Sequence, residues 1–234
     1  VGAFDGVHLG HQQMIRAAVN DAHAHRAQSV VVTFHPHPRI VLGRAPALYL
    51  TTPEEKAEQM RALGVDVLVI HAFDAATARM PAEEFVLRMV EGCRMFSLWV
   101  GPDFALGNQR RGDADFLRRL GGARGFRVNV LPPVNVGADR ISSTRIRNAL
   151  ARGDLRDVNL CLGRPFRVIG RWLDRKWVEL PPQHALPPPG RYPAWVCGAL
   201  NEARLPGGER ANIIELAAEV DPCPSVAIDF VDAA

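Results

Sequence analysis

The chain has 234 residues, of which 47 % are hydrophobic and 23 % charged, and its net charge is +3. That mixture is ordinary for a globular protein able to bury a sizeable core, and the length suits two domains better than one. It excludes a basic nucleic-acid-binding arm, because Arg110–Arg111 is only a short basic pair, and no apolar run approaches the ~20 residues of a membrane-spanning helix.

All but two of the 28 basic residues are arginine, the exceptions being Lys56 and Lys176. The four cysteines, Cys93, Cys161, Cys197 and Cys223, lie far apart. Their spacing offers no zinc site or redox pair, so free thiols in a reducing cytosol are expected. No signal-peptide pattern is present, and a cytoplasmic location is expected. The sequence opens at Val1 in what reads as the end of a first strand, Val1–Phe4, so a few upstream residues are expected to be missing from it.

From Val1 to about Asn159, strand and helix patterns alternate. Leu9–Arg26 is predicted as a helix with Met14, Ile15, Ala18 and Ala22 on one face. Ser29–Phe34 is a strand rich in β-branched residues. Thr52-Pro53-Glu54-Glu55 signals a helix start, with Thr as cap, Pro first and Glu three residues on, and that helix stops at Gly64. Val65–Ala72 is the next strand. Pro81–Met95 is a helix with an apolar stripe of Phe85, Val86, Met89 and Val90. Strand Phe96–Val100, helix Asp113–Leu120, strand Val128–Leu131 and helix Ser143–Ala151 follow, the last closed by Gly153.

Such alternation predicts an α/β domain with a parallel sheet covered on both faces. Ligands of open parallel sheets bind beyond the carboxyl ends of the strands. The segments Asp5–His11, His35–Arg39, Asp103–Arg111 and Arg140–Arg147 all follow strand ends and are expected to converge on one cleft.

From about Leu160 the helical period fades. Short apolar runs, Phe166–Ile169, Trp177–Leu180, Tyr192–Leu200, Ile213–Ala217 and Ser225–Val231, alternate with Pro- and Gly-rich turns. These predict a small, mostly β domain built as a partial barrel. The expected domains are 1–159 and 160–234.

The chemistry concentrates in GAFDGVHLGH, Gly2 to His11. A strand, a tight glycine turn and a helix start aim backbone N–H groups at an anion. His8 and His11 are three residues apart and share one helix face. Gly6 and Gly10 let a phosphate or base approach the backbone. Two imidazoles there can hydrogen-bond phosphates and stabilise charge growing on them. In RISSTRIR, Arg140 to Arg147, the hydroxyls of Ser142, Ser143 and Thr144 open a helix, where free N–H groups suit phosphate. Arg140 and Arg147 add charge-assisted contacts.

The HxGH element resembles the adenylyl- and cytidylyltransferase superfamily, and FDGVHxGH is similar to bacterial FAD synthetases, the bifunctional riboflavin kinase/FMN adenylyltransferases. TFHPHP, Thr33 to Pro38, resembles that family's TFxPHP loop, with His35 at a position that is commonly acidic. GPDFALGNQRRGD, Gly101 to Asp113, resembles its GxDFxxGxxRxG segment, with Leu106 where a second aromatic is common. RISSTRIR resembles RxSSTxIR, whereas cytidylyltransferases carry an RTxGISTT-like element.

The resemblance covers roughly residues 1–165, ending in LGRPF, Leu162 to Phe166. It implies a Rossmann-like nucleotidyltransferase domain that makes FAD and pyrophosphate from ATP and FMN. It implies His8, His11 and Arg147 as catalytic residues. The implied ATP site is Gly2, Phe4, Asp5, Gly6, His8, Gly10, His11, Arg140, Ser142, Ser143, Thr144 and Arg147. The implied flavin site is Phe34, Pro36, His37, Asp103, Phe104 and Arg111. Mg²⁺ is expected to be carried on the ATP phosphates with no dedicated protein ligand, and Asp5 to organise the turn. No nucleic-acid or membrane partner is expected, and the sequence leaves the oligomeric state open.

Beyond LGRPF the likeness decays. PPPGRYPAWV, Pro187 to Val196, still resembles a family strand, and Glu215 aligns loosely with the family's kinase base. The Gly-rich stretch and the PTxN nucleotide motif of the kinase domain are missing. The expectation is a degenerate kinase-like domain without riboflavin kinase activity. Transfer to another phosphorylated acceptor, or flavin and nucleotide binding without catalysis, are the alternatives.

Overall fold

A computed structural model describes residues 1–43, 48–223 and 225–232. Its Cα atoms group into two compact units. One comprises Val1–Phe4, Gly10–Pro46 and Ala57–Val134, and the other Asp5–Leu9, Ala47–Lys56 and Asn135–Ala234.

Helix α1 (Leu9–Ala24) leads from the second unit into the first. It buries Met14, Ile15, Val19 and Ala22, the apolar face its sequence spacing demands. It stops two residues short of Arg26, which adopts a left-handed φ of 55°. Strand β1 (Val30–His35) and strand β2 (Val67–Ala72) pair in parallel. Between them fall the short α2 (Pro38–Val41) and α3 (Pro53–Ala62). The α3 start is the expected capping box: Thr52 Oγ1 accepts from the Glu55 N–H at 3.2 Å, and Glu55 Oε2 accepts from the Thr52 N–H at 2.8 Å.

After β2 come α4 (Ala75–Arg79) and α5 (Ala82–Cys93). Strand β3 (Ser97–Val100), α6 (Ala114–Arg124) and β4 (Arg127–Val130) form a second parallel pair with its crossover helix. Val32, Val86, Met89, Leu98, Val100, Leu117 and Phe126 make the core of this unit. A cavity of about 560 Å³ is lined by Val30–Val32 of β1, Ser97–Trp99 of β3 and residues of α1. Phe4 alone of the expected site residues lines it.

Val1–Phe4 forms no strand, contrary to expectation. A strand needs a ladder of bonds, and the Gly2 N–H donates to the Val32 carbonyl at 3.0 Å just before Phe4 turns to a φ of 47°.

In the second unit a small hairpin, β5 (Asn135–Val136) and β6 (Asp139–Arg140), precedes α7 (Ser143–Ala151) and α8 (Leu155–Leu162). Residues 159 and 160, where the sequence places a domain boundary, both lie inside α8. Arg145 joins these pieces. Its guanidinium makes a two-pronged contact with the Asp157 carboxylate at 3.1 and 2.6 Å and donates to the carbonyls of Val136 and Asp139.

The rest is antiparallel: β7 (Phe166–Trp172), β8 (Trp177–Glu179), β9 (Gly190–Val196), β10 (Ala199–Leu205), β11 (Ile213–Leu216) and β12 (Val226–Phe230). They close in the order β10-β11-β8-β7-β12-β9, a full barrel where the sequence suggested a partial one. Closure removes the exposed edges. Alternation fills the interior, as with Val226, Ile228 and Phe230 of β12, all fully buried.

The run Tyr192–Leu200 is two strands, β9 and β10, and not one. Cys197 and Gly198 turn the chain with φ of 48° and 85°, the two left-handed positions of a tight hairpin. The expectation of free thiols also needs correction. Cys197 and Cys223 form a disulfide, because the pairing of β12 with β9 brings that turn beside the segment entering β12. Cys93 and Cys161 are free.

Candidate active site

Asp5 is the hub of the turn Asp5–Leu9. It is only 1 % exposed, yet its carboxylate is fully engaged. Oδ1 accepts from the N–H groups of Leu50 and Thr51 at 3.0 and 3.2 Å, and Oδ2 accepts from the Arg147 guanidinium. The Asp5 carbonyl accepts from Ser143 Oγ at 2.9 Å. A buried carboxylate is tolerable only with such charge pairing and hydrogen bonding. The second turn residue, Gly6, donates its N–H to Thr51 Oγ1 at 3.1 Å and accepts from Arg164 Nη2 at 3.1 Å through its carbonyl. Its φ of 83° suits glycine, and a Cβ there would sit 3.1 Å from Leu50.

Two basic side chains near Asp5 are desolvated. Burial pushes His8 down to about 4, with Asp5 pulling the other way, so the ring is neutral at neutral pH. Burial likewise lowers Lys56 to about 8, again opposed by Asp5. Arg147 also donates to the Leu48 carbonyl at 3.1 Å. A guanidinium carries five N–H donors, and these two contacts use a single nitrogen.

The second unit thus brings together Asp5, Gly6, His8, Ser143 and Arg147. Ser142 serves as the N-cap of α7, accepting from the Arg145 N–H at 3.1 Å. Thr144 and Arg140 are exposed. Three participants escaped the sequence reading: Thr51, Lys56 and Arg164. Thr51 and Arg164 reach Gly6 across 45 and 158 residues, a separation that no local pattern signals.

In the first unit, His11 sits in the opening turn of α1 with its ring edge-on to Phe4 at 5.2 Å. A Cβ on Gly2 would lie 3.1 Å from the Phe4 ring, so Gly2 makes room for that aromatic pair. Phe34 joins half-buried Phe73, Phe85 and His71 in a cluster with ring centroids 5.5 to 6.1 Å from its own. His37 caps α2, its Nδ1 accepting from the Arg39 N–H at 3.0 Å. Phe104 packs against the core, and Arg110 donates to the Asp103 carbonyl at 2.9 Å. Pro36 and Arg111 are exposed. Among the described residues, no three His, Cys, Asp or Glu side chains are grouped to hold a metal.

An α/β unit with parallel strands and an anion-suited turn before α1, joined to a β-barrel, defines a nucleotidyltransferase-type architecture. The family model described as FAD synthetase matches residues 1–145, and the chain belongs to that family. A bifunctional riboflavin kinase/FMN adenylyltransferase from Pseudomonas fluorescens is 38 % identical over 174 residues, 74 % of this chain and 56 % of that protein. The Listeria monocytogenes protein of the same name is 36 % identical over 172 residues, 73 % of this chain and 54 % of its own length. The Escherichia coli K12 protein of that name is 34 % identical over 174 residues, 73 % and 55 % respectively. The matched stretch therefore spans about half the length of these relatives. A solved structure titled as a macrolide-efflux protein from Streptococcus pneumoniae shares the fold, with a TM-score of 0.84 and 25 % identity over 100 % of this chain and 92 % of that one. Among the described residues no helix is long and apolar enough to cross a membrane.

Proposed function

We propose that this chain transfers AMP from ATP to FMN, giving FAD and pyrophosphate. A phosphate oxygen of FMN attacks the α-phosphorus of ATP in line. The bond from that phosphorus to the oxygen bridging the β-phosphate breaks, and pyrophosphate leaves with the electron pair. Such transfers need positioning and charge stabilisation more than covalent help. FMN arrives with an anionic phosphate, so no general base is required.

The observation that carries this reading is the joining of the two phosphate motifs through Asp5. Ser143 holds its carbonyl and Arg147 its carboxylate, which fixes the glycine turn against the start of α7. In the proposed roles, His8 and His11 donate to the ATP phosphates. Ser143, Thr144 and the remaining N–H groups of Arg147 hold the leaving pyrophosphate, with Gly2, Phe4, Gly6, Gly10, Arg140 and Ser142 completing the nucleotide site. Phe34, Pro36, His37, Asp103, Phe104 and Arg111 form the flavin side. Asp5 is buried and fully bonded and does not suit a metal ligand. Mg²⁺ would be held by the ATP phosphates with no dedicated protein ligand, and would supply charge neutralisation there.

Riboflavin kinase activity is proposed to be absent, since residues after Gly163 contain no Pro-Thr pair of the PTxN kind. The test is incubation with ATP, Mg²⁺ and FMN, with FAD separated by chromatography, and a parallel tube holding riboflavin. FAD from FMN and no FMN from riboflavin is the expected pair of results. Flavin binding without any FAD would establish a binding protein instead, and FMN from riboflavin would restore the kinase.

A further inference from the structure

The peptide between Gly6 and Val7 is gripped by a residue from outside every motif assigned to nucleotide transfer. Arg164 follows α8, whose C-cap Gly163 adopts a φ of 68° and donates to the Asn159 carbonyl. Asn159 also braces this segment, its Oδ1 accepting from the Phe166 N–H at 2.8 Å. Arg164 is thus presented from a stiff corner between α8 and β7. A Cβ at Gly163 would lie 2.5 Å from Leu9 Cδ2, so two consecutive residues, 163 and 164, meet the turn at Leu9 and Gly6.

The guanidinium is an expensive choice for this contact. A neutral donor would satisfy a lone carbonyl, whereas a desolvated cation costs free energy unless something repays it. Burial, with the Arg167 charge, brings Arg164 down to about 10 while Glu55 and Asp229 pull the other way, so it stays charged at neutral pH and is only partly repaid by these carboxylates. Its Nη1 is buried without a hydrogen-bond partner among the described residues. A planar trans peptide points its carbonyl and the next N–H in opposite directions. Holding the Gly6 carbonyl on Arg164 therefore directs the Val7 N–H away from it and sets the plane of the turn.

We infer that Arg164 is a positioning residue for nucleotide binding, locking the Gly6–Val7 peptide and placing a fixed positive charge behind the turn that receives the ATP phosphates. This rests on the AMP-transfer reading and adds to it. The segment entering the barrel thereby becomes part of the nucleotide site.

The test compares the wild-type full chain with Arg164→Ala and Arg164→Lys. Arg164→Ala is expected to lower kcat/KM for ATP by about tenfold, with KM for FMN and the melting temperature close to wild type. Added methylguanidinium is expected to restore part of that loss in Arg164→Ala and to leave wild type unchanged. Wild-type kcat/KM for ATP in Arg164→Ala would overturn the inference, as would a loss shared equally by ATP and FMN that methylguanidinium does not rescue. Where Arg164→Ala fails to fold, Arg164→Lys decides. It keeps the charge but loses the planar fork, and it is expected to weaken ATP selectively, with wild-type ATP kinetics overturning the inference. If wild type forms no FAD, the AMP-transfer reading fails by itself. Binding of a fluorescent ATP analogue to Arg164→Lys then reads the inference directly, weaker binding supporting it and unchanged binding overturning it.

Discussion

At the residue scale, buried charge is arranged around one glycine turn. His8 has its protonated form disfavoured by burial, with its value at about 4 against an ordinary 6.5. The unfolded chain takes up this proton below about pH 6.5, while the folded chain resists until about 4. Stability should therefore fall as pH drops through that window and level off below it. Histidine NMR titration should give His8 a value below 5 without nucleotide and a higher one with ATP, whose phosphates favour the imidazolium. An ordinary value in the free protein would remove His8 from the buried turn.

Asp5 makes the complementary prediction. Asp5→Asn keeps the shape but leaves Arg147 facing a neutral partner, and breaking a buried ion pair costs about 3 kcal/mol. Urea unfolding should show a loss of that order together with a fall in FAD formation. A variant as stable as wild type would mean that the pair does not hold the turn.

At the element scale, glycine at 107 is required by packing. With φ at 74°, a Cβ there would lie 2.5 Å from the backbone of Ala82 at the head of α5. Gly107→Ala should cost about 2 kcal/mol or more, measured by denaturant unfolding. A neutral effect would show that the loop lifts freely from α5. The Cys197–Cys223 link closes 26 residues, which corresponds to about 3.5 kcal/mol of loop entropy. Cys197→Ser should lower the melting temperature and abolish its sensitivity to reductant. A melting temperature unmoved by reductant in wild type would mean that the link contributes nothing to the fold.

Elements whose signals are local were legible in sequence. The Thr52–Glu55 box and the Ser142 cap sit where side chains four residues or fewer apart decide the backbone. Helix α8 carries little local signal because its eight residues begin directly after the Gly153 stop, although Asp154 caps it by accepting from the Asp157 N–H. The β9–β10 turn hid because Cys-Gly continues an apolar run where Asn-Gly would have broken it. Barrel closure depends on β12 pairing with both β7 and β9, a non-local fact that no window contains. The site divided in the same way. His8, Ser143 and Arg147 stand in motifs, whereas Thr51 and Arg164 reach Gly6 only through the tertiary fold.

At the scale of the whole molecule, Asp5–Leu9 belongs to the same compact unit as the barrel. The relatives are named for two activities, and this chain is proposed to retain one. The His11→Ala substitution should reduce turnover at least about tenfold with folding intact, since it would remove a proposed donor to the phosphates without touching the Asp5 hub. Unchanged turnover, followed by FAD chromatography, would take His11 out of the mechanism. The most direct test of AMP transfer follows the atom that moves. ATP labelled at the α-phosphorus, incubated with FMN and Mg²⁺, should put the label into FAD and release unlabelled pyrophosphate in equal amount. Folded protein that binds flavin yet leaves the α-label in ATP would contradict the account.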